Sequence, residues 1–396
     1  MGNNTTTYNR TFINRTDDVT HVQKSLWGES ILEENPEFLS QQLITYIGNK
    51  RSMLNAIDAA VAKVKYRLNK NRLRILDAFS GSGVVSRYFK CQAEYLVSND
   101  IEDYATVISR CYLRNRSTVN IQTLRDIVHE LNERVDTEEF PMGFIEEMYA
   151  PRCEDNISKN DRVFYTRGNA RRLDNYRRLL DAVSDEYRDL LLGPLLSGAS
   201  IHANTSGVFK GFHKNRHSKI GQFGGTNSDA LKRILGDIFL DIPILSRFEC
   251  EVDVLQGDTN RVAGQIRNLD LVYLDPPYNQ HPYGSNYFML NLIINYKRPD
   301  RVSRVSGIPV GWQRSDYNVR SRAKTCFFKL LQVLDTKFIL ISFNNEGFIP
   351  PSEMLDMLKA IGKVEVVEIG YNTFRGCRNL KNRDIHVTEQ LFMVER

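Results

Sequence analysis

The stretch Leu269-Asp270-Leu271-Val272-Tyr273-Leu274-Asp275-Pro276-Pro277-Tyr278 decides how the chain folds. Its first six residues form a mostly apolar run of strand length and read as a buried strand. Two consecutive prolines cannot continue a central strand, so it stops at Leu274 and the chain turns out of the sheet. Open α/β sheets bind ligands off the carboxyl ends of their strands. A carboxylate, a prolyl carbonyl and an aromatic face at such an end suit an exocyclic amine on a flat ring. Acceptors in the ring plane take the N–H groups while the phenol stacks on the face. The plainer reading of the same residues is a strand-end turn with a capping Asp and a surface Tyr.

Upstream lies a second strand, Leu73 to Phe79, followed at once by Ser80-Gly81-Ser82-Gly83 and a helix. A glycine-rich turn between strand and helix lets a ligand approach the backbone closely. By itself it is equally compatible with a tight structural turn. A third strand, Glu94 to Asp100, ends in an acid seventeen residues beyond Gly83. A carboxylate there can accept both hydroxyls of a ribose, or can cap the next helix. Before these strands, Tyr46-Ile47-Gly48-Asn49-Lys50 opens a helix with apolar positions at Met53, Leu54, Ile57, Ala60, Val61 and Val64, an amphipathic spacing. Lys50 at that point either holds a ligand carboxylate or is solvated.

After the DPPY strand, Lys337 to Phe343 and Glu389 to Val394 read as strands, and Val252 to Leu255 precedes it, ending at Gly257-Asp258. Residues 1–40 are polar without a period and read as a mobile or loosely packed lead-in. From 105 to 244 the pattern is mainly helical, with helices expected near 103–115, 121–134, 142–149, 173–192 and 227–239. Between the last two runs a loop rich in Gly, Asn, His and Lys, including Asn204, Lys210, His213 and Lys214. Glycine, lysine and aromatics interleaved in this way suit phosphate contact and base stacking. His213 and His217 have helical metal-ligand spacing, but no third ligand is near and no metal site is read there.

The chain has 396 residues, 41% hydrophobic and 26% charged, enough for one large domain with an insert or for two domains. No run approaches the roughly 20 apolar residues of a membrane span, and the amino terminus lacks a basic-then-apolar secretion pattern. Six scattered cysteines without a C-x-x-C pair read as reduced thiols. Charge is uneven: residues 121–160 carry ten acidic and four basic side chains, and residues 297–324 carry eight basic and two acidic. Basic stretches on a mixed molecule suggest a polyanion held on one face.

With these pieces in order, the sequence resembles the Dam-like, alpha-group (D12 class) N6-adenine DNA methyltransferases, and among them methylases of the FokI restriction–modification kind. Tyr46 to Lys50 is similar to the family's first S-adenosylmethionine motif, and Phe79 to Gly83 to its F-x-G-x-G loop. Asp100 stands where the ribose-binding acid is expected, Gly257-Asp258 where the cofactor adenine is held, and Asp275 to Tyr278 is the catalytic motif. The order of glycine loop, long insert and DPPY is the alpha-group order. Ser342 to Gly347 and the basic stretch Tyr371 to Arg383 also resemble FokI-type relatives.

The resemblance implies a Rossmann-like α/β fold, a seven-stranded, mostly parallel sheet with an antiparallel C-terminal strand. The catalytic domain would span 41–104 and 245–396, with a mainly helical target-recognition insert at 105–244. Asp275, Pro276, Pro277 and Tyr278 would be catalytic. Tyr46, Lys50, Phe79, Gly81, Gly83, Asp100 and Asp258 would bind S-adenosylmethionine, with no metal. Asn204, Lys210, His213, Lys214, Arg375, Arg378 and Lys381 would contact double-stranded DNA. The expected activity is site-specific adenine methylation of a flipped-out base, by an orphan methylase or the modification partner of a restriction endonuclease, in the bacterial cytoplasm at the nucleoid. The rivals are N4-cytosine methylation of DNA, N6-adenine methylation of RNA and a catalytically silent DNA-binding protein.

Overall fold

The computed structural model describes residues 34–225, 228, 230–345, 347–372 and 386–396. Seven strands form one sheet: β1 (Leu73–Asp77), β2 (Ala93–Asp100), β3 (Glu251–Gln256), β4 (Leu269–Leu274), β5 (Thr336–Asn344), β6 (Lys363–Asn372) and β7 (His386–Glu395). Their order is β3-β2-β1-β4-β5-β7-β6. The pairs among β1 to β5 are all parallel, whereas β7 runs antiparallel to both β5 and β6. The seven-stranded mixed sheet is therefore present as the resemblance implied. Its outer member β6 was not among the segments read as strands; Glu365 and Glu368 interrupt its apolar pattern.

β4 is buried at every position, which explains its nearly unbroken apolar sequence. Period-two alternation divides the sheet residues between two cores. Ile75, Tyr273, Phe338 and Leu340 face the helices Leu54–Leu68 and Val84–Lys90, while Leu76, Val272, Ile339 and Ile341 face Arg320–Val333 and Pro351–Lys359. The six helical positions expected to be apolar between Met53 and Val64 are all buried.

Strand order also sets the position of the motifs. The chain winds from β1 outward to β2 and β3, then returns to place β4 on the other side of β1. Asp77 of β1 lies opposite Tyr273 of β4, and Ala78 N–H donates to the Tyr273 carbonyl at 3.1 Å. The glycine loop and DPPY therefore leave the sheet side by side, at the point where the winding reverses and a crevice opens. Because β7 is antiparallel, its first residues arrive at that same edge, with Glu389 opposite Asn344.

The middle region differs from expectation in two helices. The span 173–192 is two helices, Arg167–Leu180 and Asp185–Ile201. Arg188 holds the break by donating to the carbonyls of Leu180 (3.2 Å) and Val183 (2.8 Å). Among the described residues of the span 227–239 the helix is Leu231–Leu235, followed by Gly236, whose extended backbone ends the turn. The middle helices form one core, distinct from the two sheet cores, which also takes in Phe38 and the helix after DPPY, Phe288–Asn295. Residues 34–40 are packed and not loose: Phe38 is buried, and buried Glu34 accepts from the Arg247 amide at 2.8 Å. Among the described residues no helix is long and apolar enough to cross a membrane.

Candidate active site

The crevice is an open cleft lined by residues of the glycine loop, of the strand ends and of the DPPY turn, where α/β sheets of this kind bind ligands. Tyr46, Lys50, Phe79, Gly81, Asp100, Asp258, Asp275 and Pro277 all line it. Gly83 does not. It has a left-handed φ of 74° at the start of Val84–Lys90, and a Cβ there would meet Ile108 at 3.1 Å, so it shapes the turn behind the cleft.

Gly81 is needed for close approach. Its φ is +50°, and a Cβ would come 2.9 Å from the Tyr46 hydroxyl. The Tyr46 ring is stacked on Tyr283 at 5.0 Å and on Tyr287 at 4.9 Å, and its hydroxyl is 3.3 Å from that of Tyr104. Asp100 accepts the Gly81 amide at 2.8 Å and the Glu102 amide at 3.0 Å. Burial raises the Asp100 carboxyl above its ordinary value, opposed by those two backbone donors. Asp258 lines the cleft and also caps the short helix Thr259–Val262, accepting from the Asn260 amide at 3.0 Å.

At the other end of the cleft, three oxygens surround the Lys50 ammonium: Glu389 Oε1 at 2.7 Å, Asp275 Oδ1 at 3.1 Å and the Gly48 carbonyl at 3.1 Å. An ammonium has three N–H groups, so Lys50 is engaged within the protein and brackets Asp275. Of the two readings of Lys50 from sequence, a solvated side chain is excluded by its burial, and the carboxylates it meets here belong to the protein. Burial pushes the Lys50 ammonium down, but Asp275, Tyr278 and Glu389 outweigh it and leave it well above its ordinary value. Burial pushes the Asp275 carboxyl up to about 7, with Lys50 pulling down and Glu389 pushing up. The half-buried Tyr278 ring is 5.6 Å from the Lys50 ammonium and edge-on to Phe343 at 5.7 Å, and its carbonyl accepts from Phe348 at 2.9 Å. Gly48, with φ +74°, ties the first motif to the last: a Cβ there would lie 3.3 Å from the Tyr278 hydroxyl.

A model of the D12 class N6 adenine-specific DNA methyltransferases matches residues 46–331. The chain belongs to that family. It is 28% identical over 367 residues to the type II methyltransferase M.NlaIII of Neisseria lactamica, covering 88% of this chain and 100% of that protein. It is 28% identical over 359 residues to the type II methyltransferase M.CviAII of Paramecium bursaria Chlorella virus 1, covering 89% and 98%. Against the modification methylase StsI of Streptococcus sanguinis the figures are 27% over 371 residues, 89% and 52%.

In this D12 methyltransferase the residues expected to meet DNA separate into three groups. Asn204 is fully buried, and its amide donates to the carbonyls of Val163 (2.8 Å) and Gln222 (3.1 Å) and accepts from Gly224 (3.2 Å). It pins the loop from inside and cannot reach a nucleic acid. Lys210 is exposed, and Lys214 lies 4.8 Å over the Phe212 ring. His213 is half-buried, with burial lowering its ring below the ordinary histidine value. Arg375, Arg378 and Lys381 lie outside the described residues.

Sequence reasoning missed Tyr283, Glu102 and Glu389. Tyr283 carried no motif signal. Glu102 lines the cleft, its carboxyl is pushed up to about 8 by burial, and it accepts from Asn291 at 2.8 Å. Glu389 had a signal: it shares a strand face with Leu391 and Met393, where a carboxylate is out of place.

Proposed function

We propose that this protein methylates N6 of adenine at a specific site in double-stranded DNA, as the modification enzyme of a restriction–modification system. One observation carries the reading. The Asp275-Pro276 turn, with Asp275 bracketed by Lys50, stands beside the glycine-loop cleft at the switch point of the sheet.

The cleft suits S-adenosylmethionine in its donor set. Tyr46, Phe79, Gly81, Asp100 and Asp258 would hold it. When bound, it supplies a methyl group on a sulfonium that departs as a neutral thioether as the new C–N bond forms. The protein must make the adenine amino nitrogen a nucleophile, because its lone pair is delocalised into the ring. The Asp275 carboxylate and the Pro276 carbonyl accept the two amino hydrogens and favour a pyramidal nitrogen with its lone pair aimed at the methyl group. This stabilises the transition state more than the ground state and fixes alignment. The N6 proton becomes acidic only once the nitrogen is methylated, so Asp275 orients and need not act as base during transfer.

The amino group is unreachable within a duplex, so the nucleotide is flipped at a cost of a few kcal/mol. Stacking on Tyr278 returns about 1–3 kcal/mol. The DNA face combines Lys210 and Lys214 with the basic stretch 297–324. These meet in the structure where Ser306 Oγ donates to the Lys210 carbonyl.

The test is expression in a host lacking adenine methylation, followed by direct sequencing of its DNA for modified bases. N6-methyladenine at one short motif, lost with Asp275→Ala, is the expected result. Modified cytosine would move the reaction to N4, and unmodified DNA from a folded protein would overturn the reading.

A further inference from the structure

Glu389 is an unusual side chain for its place. It is 3% exposed, on a strand face otherwise given to the apolar core. Taking a carboxylate out of water costs more than a well-packed apolar side chain would, so a buried ion pair is weak as a stabilising device. Its contacts point instead to the reacting end of the cleft. Oε1 is 2.7 Å from the Lys50 ammonium and accepts from Ser342 Oγ at 2.9 Å. Ser342 belongs to β5, Glu389 to β7, and Lys50 precedes the helix Leu54–Leu68, so three separate elements fix one chain of contacts ending on Asp275.

We propose that Glu389 is a positioning residue for methyl transfer, holding Lys50 so that Asp275 is fixed in direction while remaining a strong acceptor. This rests on the reading that Asp275 accepts a hydrogen from the substrate amino group. With Asp275 alone beside it, the ammonium would be drawn wholly to that carboxylate and weaken it as an acceptor. With Glu389 on its other side, the ammonium is shared and the local charge stays negative. Lys50 approaches Asp275 at Oδ1, 3.1 Å away.

The groups facing Asp275 from other directions do not duplicate this arrangement. Asp77, fully buried at the end of β1, is tied to Ser86 Oγ at 2.6 Å and is itself pushed up to about 7 by burial. The phenols of Tyr273 and Tyr283 stay neutral, since burial raises both well above the ordinary tyrosine value. Tyr278 is near as well, with its ring by Lys50. Among the described residues, Lys50 is the cation paired with Asp275, and Glu389 holds it from the other side.

The experiment compares wild type with Glu389→Gln, Glu389→Asp and Asp275→Asn. It measures initial rates of radiolabelled methyl transfer from S-adenosylmethionine to unmethylated genomic DNA across pH, and cofactor affinity by calorimetry. Glu389→Gln should lower the plateau rate about ten-fold, as loss of an outer supporting partner does. It should also move the acid limb of the profile to lower pH, because one negative charge near Asp275 is gone. Cofactor affinity should not change. Glu389→Asp, which keeps the charge but withdraws it from Lys50, should fall between the two and serves if the Gln variant does not fold. A wild-type plateau in both variants overturns the proposal, and so does a lowered plateau in Glu389→Gln with the limb in place, the mark of a merely structural role. Asp275→Asn separates the two levels. If it is as active as wild type, the underlying reading fails; if it is inactive while Glu389→Gln is normal, only the role of Glu389 fails.

Discussion

The Asp100 carboxylate accepts the Gly81 amide at 2.8 Å, so the acid at the end of β2 and the glycine loop after β1 are one rigid unit. Its second oxygen takes the Glu102 amide at 3.0 Å. Hydrogen bonds to a charged acceptor contribute about 1.5–3 kcal/mol. Asp100→Ala therefore releases the loop, and S-adenosylmethionine affinity measured by calorimetry should fall at least about ten-fold. Undiminished affinity would mean that the loop keeps its shape without the acid.

Tyr278 is expected to act through its ring. Tyr278→Ala should lose about 1–3 kcal/mol of stacking on the extruded base, read as a lower methylation rate on duplex DNA. Tyr278→Phe keeps the ring and should lose much less. Equal losses in the two variants would argue against stacking.

Glu102 makes stability depend on pH. Burial lifts its carboxyl from 4.5 to about 8. Between those values the folded protein keeps a proton that the unfolded chain has released, so stability falls as pH rises through this window. Asp77 and Asp275, both raised to about 7, act with the same sign. Glu102→Gln removes one contribution. Its Tm should drop less than that of wild type between about pH 5 and 8, by at least about 2 °C. Parallel curves would show that Glu102 is ionised in the folded protein.

Asn204 and Lys210 sit in one loop and should give opposite results. Asn204→Ala leaves two carbonyls and an amide unsatisfied in the interior. It should cost about 2 kcal/mol or more in denaturant unfolding. Lys210→Ala and Lys214→Ala should change stability by less than about 0.5 kcal/mol. Each should reduce the salt dependence of DNA binding by about one unit of slope. A stable Asn204→Ala protein with weakened DNA binding would reverse the assignment.

The framework of the site was legible because it depends on local chemistry. Pro276-Pro277 must end a strand, Gly81 must allow close approach, and parallel strands bring such ends to one edge. Contacts across the fold were not legible in this way. A lysine in a loop gives no sign that its ammonium will be enclosed by Asp275 and Glu389, because that depends on which strands become neighbours. Asn204 shows the reverse case. Its polar neighbours suggested a surface, but a side chain with two donors and an acceptor is also what a buried loop needs to satisfy its own backbone. The break between Leu180 and Asp185 was hidden because apolar spacing continues across it, while Arg188 closes the turn from one helical turn further on.

The insertion of β7 between β5 and β6 bears on the order of folding as well as on shape. Lys50 lies just before the helix Leu54–Leu68 and Glu389 in the last strand, so their ion pair closes nearly the whole described chain into one loop. Contacts so distant in sequence form late in folding. During synthesis, a chain that has already made its glycine loop and DPPY still lacks the strand that supports Lys50. Such a nascent chain has the motifs of a methyltransferase without its completed centre, and it acquires that centre only when β7 pairs between β5 and β6.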